Sequence, residues 1–301
     1  NSLEIAVLSD ARDTLEAAIF LPDSAVLACA DSKWSSYSRW HSQTTPVPAT
    51  RLITSADDLQ RAFTELRDDE DTPVWVRGAG IPGKGIGVAS LPCRTAEQAI
   101  QWVDYWRGWG GMIASEFLPG RNLTWMGLFR AGELITSQGR ERLAYVIPHV
   151  SPSGITGAPA ISKTIHDPQV NTIAHRAVLE LDPDYTGVGF IDMKEDAEGI
   201  PRVTELNAGR FGTTHFFYSA AGANFPEMAL RLAHGEANNV PKYDLLPPDL
   251  VWIRTLDAGP VLTSMDAIKR GEVASLNHDD PWPRVPQRFH EFDAAGTIKW
   301  P

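Results

Sequence analysis

The sequence predicts an α+β protein made of two α+β subdomains. Short runs of apolar and β-branched residues alternate along the chain with amphipathic stretches that begin at Ser or Thr, which is the pattern of strands and capped helices. An acidic segment with the pattern of a β-hairpin lies in the second half of the chain. The 301 residues, 43% hydrophobic and 22% charged, are enough for two or three subdomains with cores of their own.

The first elements form a small N-terminal piece, which we assign to residues 1–32. Apolar runs at 5–8 and 25–30 flank a helical pattern at 13–20. We therefore expect a minimal α/β unit here.

The smaller subdomain is expected at residues 33–112. A short helix at 34–41 and a turn-rich T-T-P-V-P segment precede a strand at 51–54. Ser55 then caps a helix that runs to about residue 67 and carries acidic residues in its first turn. A strand at 74–77 leads into a glycine-rich segment, and Thr95 begins a second capped helix, which runs to about residue 107.

The larger subdomain is expected at residues 113–238. Strands are predicted at 112–118, 123–129 and 133–137, and helices at 171–181 and 225–234. Residues 152–160 are rich in Gly, Ser and Pro, which predicts a loop. Residues 239–301 form a Pro-rich C-terminal extension with short strands expected at 250–255 and 272–275.

The acidic hairpin carries the most informative functional signal. Residues 187–194 predict a buried strand, residues 195–199 a tight turn and residues 201–207 the returning strand. This arrangement places Asp192 opposite Glu205, with Asn207 on the same face as Glu205. Two carboxylates so close repel each other. Mg²⁺ that also holds nucleotide phosphates would relieve the repulsion. The alternative is a surface hairpin with ordinary solvated charges.

A glycine-rich loop follows the strand at 74–77. Its glycines include Gly83, Gly85 and Gly87, and such a loop lets backbone N–H groups approach phosphate oxygens. The spacing is not that of a Walker A loop, and no G-x-G-x-x-G opens a helix. Arg77 and Lys84 add cations that can make charge-assisted bonds to phosphate.

Composition excludes several classes of protein. The net charge of −11 argues against a general nucleic-acid binder. The absence of an apolar run of about 18 residues argues against a membrane span. Cys29 and Cys93 form no disulfide framework, which fits a reducing compartment. No signal peptide is visible, and the chain opens with Asn1 rather than Met. We expect a cytoplasmic protein that binds neither nucleic acid nor membrane.

A series of short motifs follows a fixed order along the chain: Asp31 with Lys33, the turn Pro46-Val47-Pro48, Arg77, the glycine loop at 83–87, Glu116-Phe117-Leu118-Pro119-Gly120, Asp192, and Glu205-Leu206-Asn207. Motifs of these kinds in this order resemble those of the ATP-grasp ligases, closest to the carbamoyl-phosphate-synthase large-subunit-like branch. The resemblance covers roughly residues 31–235.

The resemblance implies an ATP-grasp fold, in which two subdomains clamp ATP, and a role for each matching residue. Lys33 and Arg77 match the cations that hold ATP phosphates, and the loop with Gly83, Lys84, Gly85 and Gly87 matches the flap that closes over them. The stretch Glu116, Phe117 and Leu118 matches the linker that contacts adenine. Asp192, Glu205 and Asn207 match the ligands of Mg²⁺, for which Mn²⁺ is an alternative. The expected catalytic cations are Arg210, Arg77 and Lys84.

The chain departs from the family pattern at three places. The ribose-binding Glu of the family is expected near Asn122 or Leu123, so the amide of Asn122 is the candidate for a ribose hydroxyl. The usual E-x-N-x-R becomes E-L-N-A-G-R, which shifts Arg210 by one position. Residues 1–32 would be a remnant of the larger α/β domain that usually precedes this point.

Substrate contacts are expected from two segments. Arg140 and Arg142, in S-Q-G-R-E-R-L, are either exposed strand charges or partners of an acidic substrate. The loop S-P-S-G-I-T-G resembles a substrate-proximal loop of the carbamoyl-phosphate branch, which makes Ser153 and Thr156 candidate ligands.

The predicted function is ATP- and Mg²⁺-dependent ligation of a small-molecule carboxylate to an amine or a thiol, through an acylphosphate. The alternative is a non-catalytic or split-complex ATP-binding module of carbamoyl-phosphate-synthase type. A homodimer is compatible with either hypothesis.

Overall fold

The part of the chain that the structure describes contains two antiparallel sheets with helices packed against them. The computed structural model describes residues 2–81, 89–155, 158–212, 215–254 and 261–270. The predicted strand at 272–275 and the candidate residues Gly83, Lys84, Gly85, Gly87 and Thr156 lie outside these ranges.

Within the described ranges, helices and strands follow each other in mixed order. The helices are α1 (Ser2–Asp10), α2 (Ser24–Asp31), α3 (Lys33–His41), α4 (Ala56–Glu65), α5 (Ala96–Tyr105), α6 (Pro168–Leu181), α7 (His215–Ala220), α8 (Phe225–Ala233) and α9 (Met265–Lys269). The strands are β1 (Thr50–Ile53), β2 (Val74–Gly78), β3 (Leu91–Cys93), β4 (Met112–Ser115), β5 (Asn122–Arg130), β6 (Glu133–Tyr145), β7 (Pro159–Ile165), β8 (Gly187–Glu195), β9 (Pro201–Ala208), β10 (Leu250–Ile253) and β11 (Val261–Ser264).

The smaller sheet has four strands in the order β1-β4-β2-β3. Val74 and Val76 alternate with less buried residues along β2, so one face of the sheet packs on Leu59 of α4 and Val103 of α5. Both predicted helix caps are confirmed. Ser55 Oγ accepts from the Asp58 N–H at 3.2 Å, and the Thr95 hydroxyl likewise accepts from the N–H of the third residue of α5.

The larger sheet has seven strands in the order β11-β10-β7-β6-β5-β8-β9. It is covered on both faces, because alternate residues of β5 enter different cores. Trp125 packs in the core that includes α6, whereas Met126 packs in the core that includes α7 and α8. Thr124 lies on the same face of the sheet as Met126. Asp192, the cross-strand partner of Thr124 on β8, therefore belongs to that face as well.

The N-terminal segment differs from the predicted α/β unit. The apolar runs at 5–8 and 25–30 lie in the helices α1 and α2, and within 13–20 the structure has only the end of a short 3-10 turn, Arg12–Thr14. Short apolar runs do not distinguish a strand from a buried helix. Leu27 and Ala30 of α2 join the core beneath the larger sheet. No described helix is long and apolar enough to cross a membrane.

Strand prediction was incomplete in both sheets. The strand β3 of the smaller sheet and the strands β7 and β11 of the larger sheet were not predicted, and β6 continues well beyond residue 137, to Tyr145. The predicted strand at 250–255 is confirmed as β10, which extends the sheet beside β7.

Helix α3 packs beside the larger sheet, although the domain boundaries predicted from the sequence place residue 33 at the start of the smaller subdomain. The indole N–H of Trp40 donates to the Ala177 carbonyl at 2.8 Å, which anchors α3 to α6. The domain boundaries themselves stay predictions.

A linker carries the chain from the smaller sheet, at Ser115, to the larger sheet, at Asn122. It lies against the turn between β8 and β9. A Cβ atom on Gly120 would lie 2.5 Å from the Cβ of Glu195, so this close approach requires glycine. Arg121 also donates to the Glu195 carboxylate. The linker is therefore fixed to the acidic hairpin.

Candidate functional site

The acidic hairpin has the predicted register. Asp192 on β8 and Glu205 on β9 are direct cross-strand partners. Asn207 lies beside them, and its amide Nδ2 donates to Asp192 Oδ2 at 3.4 Å. The expected convergence of two carboxylates and an amide is confirmed as geometry.

Each carboxylate has a cation from a different element of the fold. Lys33, at the start of α3, donates to Glu205 at 3.2 Å, and the Lys33 side chain is 9% exposed. Arg142, on β6, lies 2.5 Å from Asp192. Sequence reasoning placed Lys33 on phosphate and Arg142 on substrate, and it did not identify these pairings.

The pKa values of the two carboxylates move in opposite directions. Burial raises the pKa of Asp192 and Glu205 adds to this effect, while Arg142 opposes it. Burial also opposes ionisation of Glu205, but Lys33, Arg77 and Arg210 act together against it and hold the pKa of Glu205 below its ordinary value. Burial lowers the pKa of Lys33 against the opposing effect of Glu205.

Arg77, at the end of β2, reaches across to the larger sheet. Its Nη2 donates to the Thr204 carbonyl at 2.7 Å and contacts the hydroxyl of Tyr37. Its Nε is buried and has no hydrogen-bond partner among the described residues. The predicted phosphate cation thus lies at the site with unused hydrogen-bonding capacity.

Arg210 lies close to the hairpin carboxylates. Its Nη2 donates to Asn207 Oδ1, and its charge acts on both Asp31 and Glu205. Burial raises the pKa of Asp31, and Arg210 and Lys33 oppose that rise. The one-position shift of Arg210 in the sequence still leaves it next to the predicted metal ligands.

The linker borders the same cleft. Glu116 is held at both ends, because its N–H donates to the Ala49 carbonyl and its carboxylate accepts from the Ala49 N–H, each at 2.9 Å. The ring of Phe117 lies 6.5 Å from that of Trp75. Within the described part of the chain, the backbone N–H and C=O groups of Phe117 and Leu118 make no hydrogen bond. Such a strand-like edge offers donors and acceptors to a planar base.

The substrate candidates fall into two environments. Arg140 is fully buried, donates from Nε to Thr124 at 2.5 Å, and has no described partner for its two terminal nitrogens. Burial lowers the pKa of Arg140 to about 10. Ser153 lines the cleft, and its hydroxyl accepts from the hydroxyl of Ser90, which follows the glycine loop in the chain, at 3.3 Å.

A cleft of about 500 Å³ is lined by most of the predicted site residues, namely Lys33, Arg77, Glu116, Phe117, Leu118, Asn122, Arg142, Ser153, Asp192 and Glu205. The predicted site residues Asn207, Arg140 and Arg210 are not among the residues that line it. The lining residues that no motif or spacing marks in the sequence include Tyr37, Trp75, Tyr145 and Lys194.

Positive charge dominates around the hairpin carboxylates, although the chain as a whole carries −11. The carboxylates are Asp31, Asp192 and Glu205, whereas the cations are Lys33, Arg77, Arg140, Arg142 and Arg210. Such an excess attracts a polyanion.

The donor set fits a divalent cation that is completed by a ligand's own oxygens. Asp192, Glu205 and Asn207 supply the hard oxygen donors that Mg²⁺ prefers. Among the described residues, no group of three or more His, Cys, Asp or Glu side chains is arranged to hold a metal ion. A cation bound by this donor set would therefore need further ligands, such as phosphate oxygens.

Comparison with known proteins finds similarity only at the level of structure. No family model matches the chain, and no curated protein matches its sequence. The biotin carboxylase domain of 2-oxoglutarate carboxylase from Hydrogenobacter thermophilus superposes with a TM-score of 0.64 at 13% identity, over 84% of this chain and 55% of that one. This chain therefore spans about half the length of that protein.

Two further solved structures are similar. Carboxyaminoimidazole ribonucleotide synthase from Aspergillus clavatus has a TM-score of 0.63 at 12% identity, over 83% of this chain and 62% of that one. L-Amino acid ligase from Bacillus licheniformis has a TM-score of 0.60 at 13% identity, over 90% and 65%.

The chain has the ATP-grasp fold. The predicted fold class is therefore confirmed. The structural neighbours are ATP-grasp ligases of several kinds, and they do not single out the carbamoyl-phosphate-synthase-like branch.

Proposed function

We propose that this ATP-grasp chain binds Mg·ATP in the cleft between its two sheets and ligates a carboxylate to an amine or a thiol. One observation carries the proposal. Asp192 and Glu205 are directly opposed at the cleft, and each is held by a cation from elsewhere in the fold. A structural hairpin would have no need of so many buried charges, because burying charge is costly.

The nucleotide would lie with its base at the linker and its phosphates near the hairpin. Phe117 and Leu118 offer free backbone groups to adenine, and Asn122 lies where the chain enters β5. Lys33 and Arg77, which line the cleft, would bind phosphate oxygens, and Lys84 of the glycine loop is proposed to join them. Asp192, Glu205 and Asn207 would hold Mg²⁺, which supplies charge neutralisation for the phosphates.

Bound nucleotide would change the partners of the cations. Lys33 now neutralises Glu205. If Glu205 held a metal, Lys33 would be free to pair with phosphate, so the same lysine would neutralise Glu205 in the empty site and phosphate in the occupied site. The low pKa of Glu205 keeps it ionised for this exchange.

The reaction divides into two substitutions. A substrate carboxylate oxygen attacks the γ-phosphorus, the bond to the β–γ bridging oxygen breaks, and ADP leaves. The amine nitrogen or thiol sulfur then attacks the acyl carbon, phosphate leaves, and the nucleophile gives up its proton. Arg210 would neutralise charge on the transferred phosphoryl group, and Arg142, Ser153 and Thr156 would hold the carboxylate substrate. Arg140, which is fully buried, would act on the substrate through its charge alone.

The structural neighbours support this chemistry by what their structures contain. The biotin carboxylase domain was solved as a dimer with MgADP, ADP and bicarbonate, the ribonucleotide synthase with ATP, and another neighbour is an L-amino acid ligase. A homodimer of this chain is part of the proposal.

ADP release measured against pools of carboxylates, with and without amines and thiols, tests the proposed function. We expect ADP release that requires Mg²⁺, a carboxylate and a nucleophile. ATP binding without ADP release in any pool would instead support the non-catalytic, split-complex module.

A further inference from the structure

Tyr37 lies where the two sheets approach each other. It is one turn after Lys33 on α3, so both side chains project from the same side of the helix. Lys33 reaches the Glu205 carboxylate, whereas the Tyr37 hydroxyl donates to the Thr204 carbonyl at 2.8 Å. The Tyr37 side chain is almost fully buried, at 3% exposure. One helix face therefore contacts two consecutive residues of β9.

The Thr204 carbonyl is available because β9 has a bulge at this residue. Asp192 pairs with Glu205, but the next residue of β8, Met193, pairs with Val203. Thr204 is therefore the extra residue, and its hydroxyl returns to the Asp192 carbonyl at 3.1 Å. A bulged residue is released from the regular ladder. Its carbonyl can accept from Tyr37 and also from Arg77, which donates at 2.7 Å.

Tyr37 also contacts Arg77 directly. The Arg77 Nη2 donates to the Tyr37 hydroxyl, and the guanidinium carbon lies 5.8 Å from the centre of the tyrosine ring. Burial raises the pKa of Tyr37, with Arg77 opposing, so the hydroxyl keeps its proton and can donate while it accepts. The Nη2 end of the Arg77 guanidinium is thus fixed, whereas Nε has no hydrogen-bond partner among the described residues.

We propose that Tyr37 is a positioning residue, which with the Thr204 bulge carbonyl holds Arg77 in the orientation that binds nucleotide phosphate. The inference rests on the proposed function. It connects the smaller sheet, which carries Arg77, to the residue next to Glu205 on the larger sheet. Arg77 would then enter the site already ordered, which reduces the entropy cost of binding.

Isothermal titration with MgATP on the Tyr37→Phe variant tests the inference. Phenylalanine keeps the ring and its packing but removes the hydroxyl. We expect about a tenfold weaker affinity, the effect of one hydrogen bond to a charged group. The control is Tyr243→Phe, which removes a hydroxyl bonded to His175 at 2.8 Å outside the cleft and should leave the affinity unchanged.

A double-mutant cycle separates positioning from simple stabilisation of α3. In an Arg77→Met background, Tyr37→Phe should cause no further loss of MgATP affinity, because the residue through which it acts is gone. An equal loss in both backgrounds would overturn the inference, and so would a Tyr37→Phe variant that melts earlier but binds MgATP like wild type. Wild-type protein that binds no MgATP would instead overturn the proposed function itself.

Discussion

Asp192 and Glu205 are cross-strand partners whose pKa values move apart, Asp192 upward and Glu205 downward. Burial disfavours both charges, but the net effect of the surrounding cations differs. Lys33, Arg77 and Arg210 all act on Glu205 and outweigh its burial, whereas Arg142 and the more weakly acting cations do not outweigh the burial of Asp192. Glu205 is therefore the carboxylate best suited to stay ionised for a metal.

Glu205→Gln should retain the fold but reduce Mg²⁺-dependent ADP release by orders of magnitude. Glutamine has the same shape, but it lacks the charge that a divalent cation requires. Steady-state turnover at limiting Mg²⁺ measures the effect. Glu227→Gln is the control, because Glu227 pairs with Arg231 on the surface, with 49% of its side chain exposed. Equal turnover in both variants would contradict the hairpin assignment.

The stability cost of Glu205→Gln should depend on pH. Because the native pKa of Glu205 lies below its ordinary value, its ionised form stabilises the fold above the unfolded pKa of about 4.3. That contribution is lost as pH falls through the native pKa. Urea unfolding of wild type and variant should show a difference at neutral pH that disappears in acid. A difference that persists unchanged in acid would show that packing, and not charge, accounts for it.

Arg77→Ala should weaken MgATP binding by about 1.5–3 kcal/mol, the usual value for a hydrogen bond to a charged group. Lys84→Ala should affect binding less and turnover more, since Lys84 belongs to a glycine loop expected to close over the phosphates. Titration calorimetry on the two variants compares them. A larger affinity loss for Lys84→Ala would reverse the two roles.

Arg210→Lys should lower kcat and leave KM nearly unchanged. Lysine keeps the charge but loses the planar fork, and a group that acts mainly in the transition state affects kcat. Within the described part of the chain, Asn207 is the one residue to which the Arg210 side chain donates a hydrogen bond. An unchanged kcat on the active substrate would make Arg210 a structural support of Asn207.

The sequence was sufficient for the local parts of the site. The alternation in β8 and β9 and the turn between them predict the hairpin, but the pairs nearest the turn, such as Lys194 with Arg202, would by themselves place Asp192 opposite Thr204. The bulge at Thr204 shifts the register so that Asp192 faces Glu205. The caps at Ser55 and Thr95 determine where two helices begin. The hairpin and the caps depend on neighbours in the chain, which pattern analysis can assess.

Long-range contacts could not be predicted in this way. Lys33 meets Glu205, and Tyr37 meets Thr204, because α3 packs across β9, more than 160 residues away in the chain. The bulge at Thr204 has no glycine or proline to mark it. The apolar run in α2 was ambiguous because its helical character depends on burial against the larger sheet, where Leu27 and Ala30 join the core.

Isothermal titration of the wild-type chain with ATP and with GTP, each with and without Mg²⁺, tests the central claim most directly. The free backbone edge at Phe117 and Leu118 should select adenine, and the hairpin carboxylates should make binding depend on the metal. The account predicts one saturable site for MgATP, with much weaker binding of MgGTP and of metal-free ATP. No binding of MgATP, or equal binding of MgGTP, would contradict it.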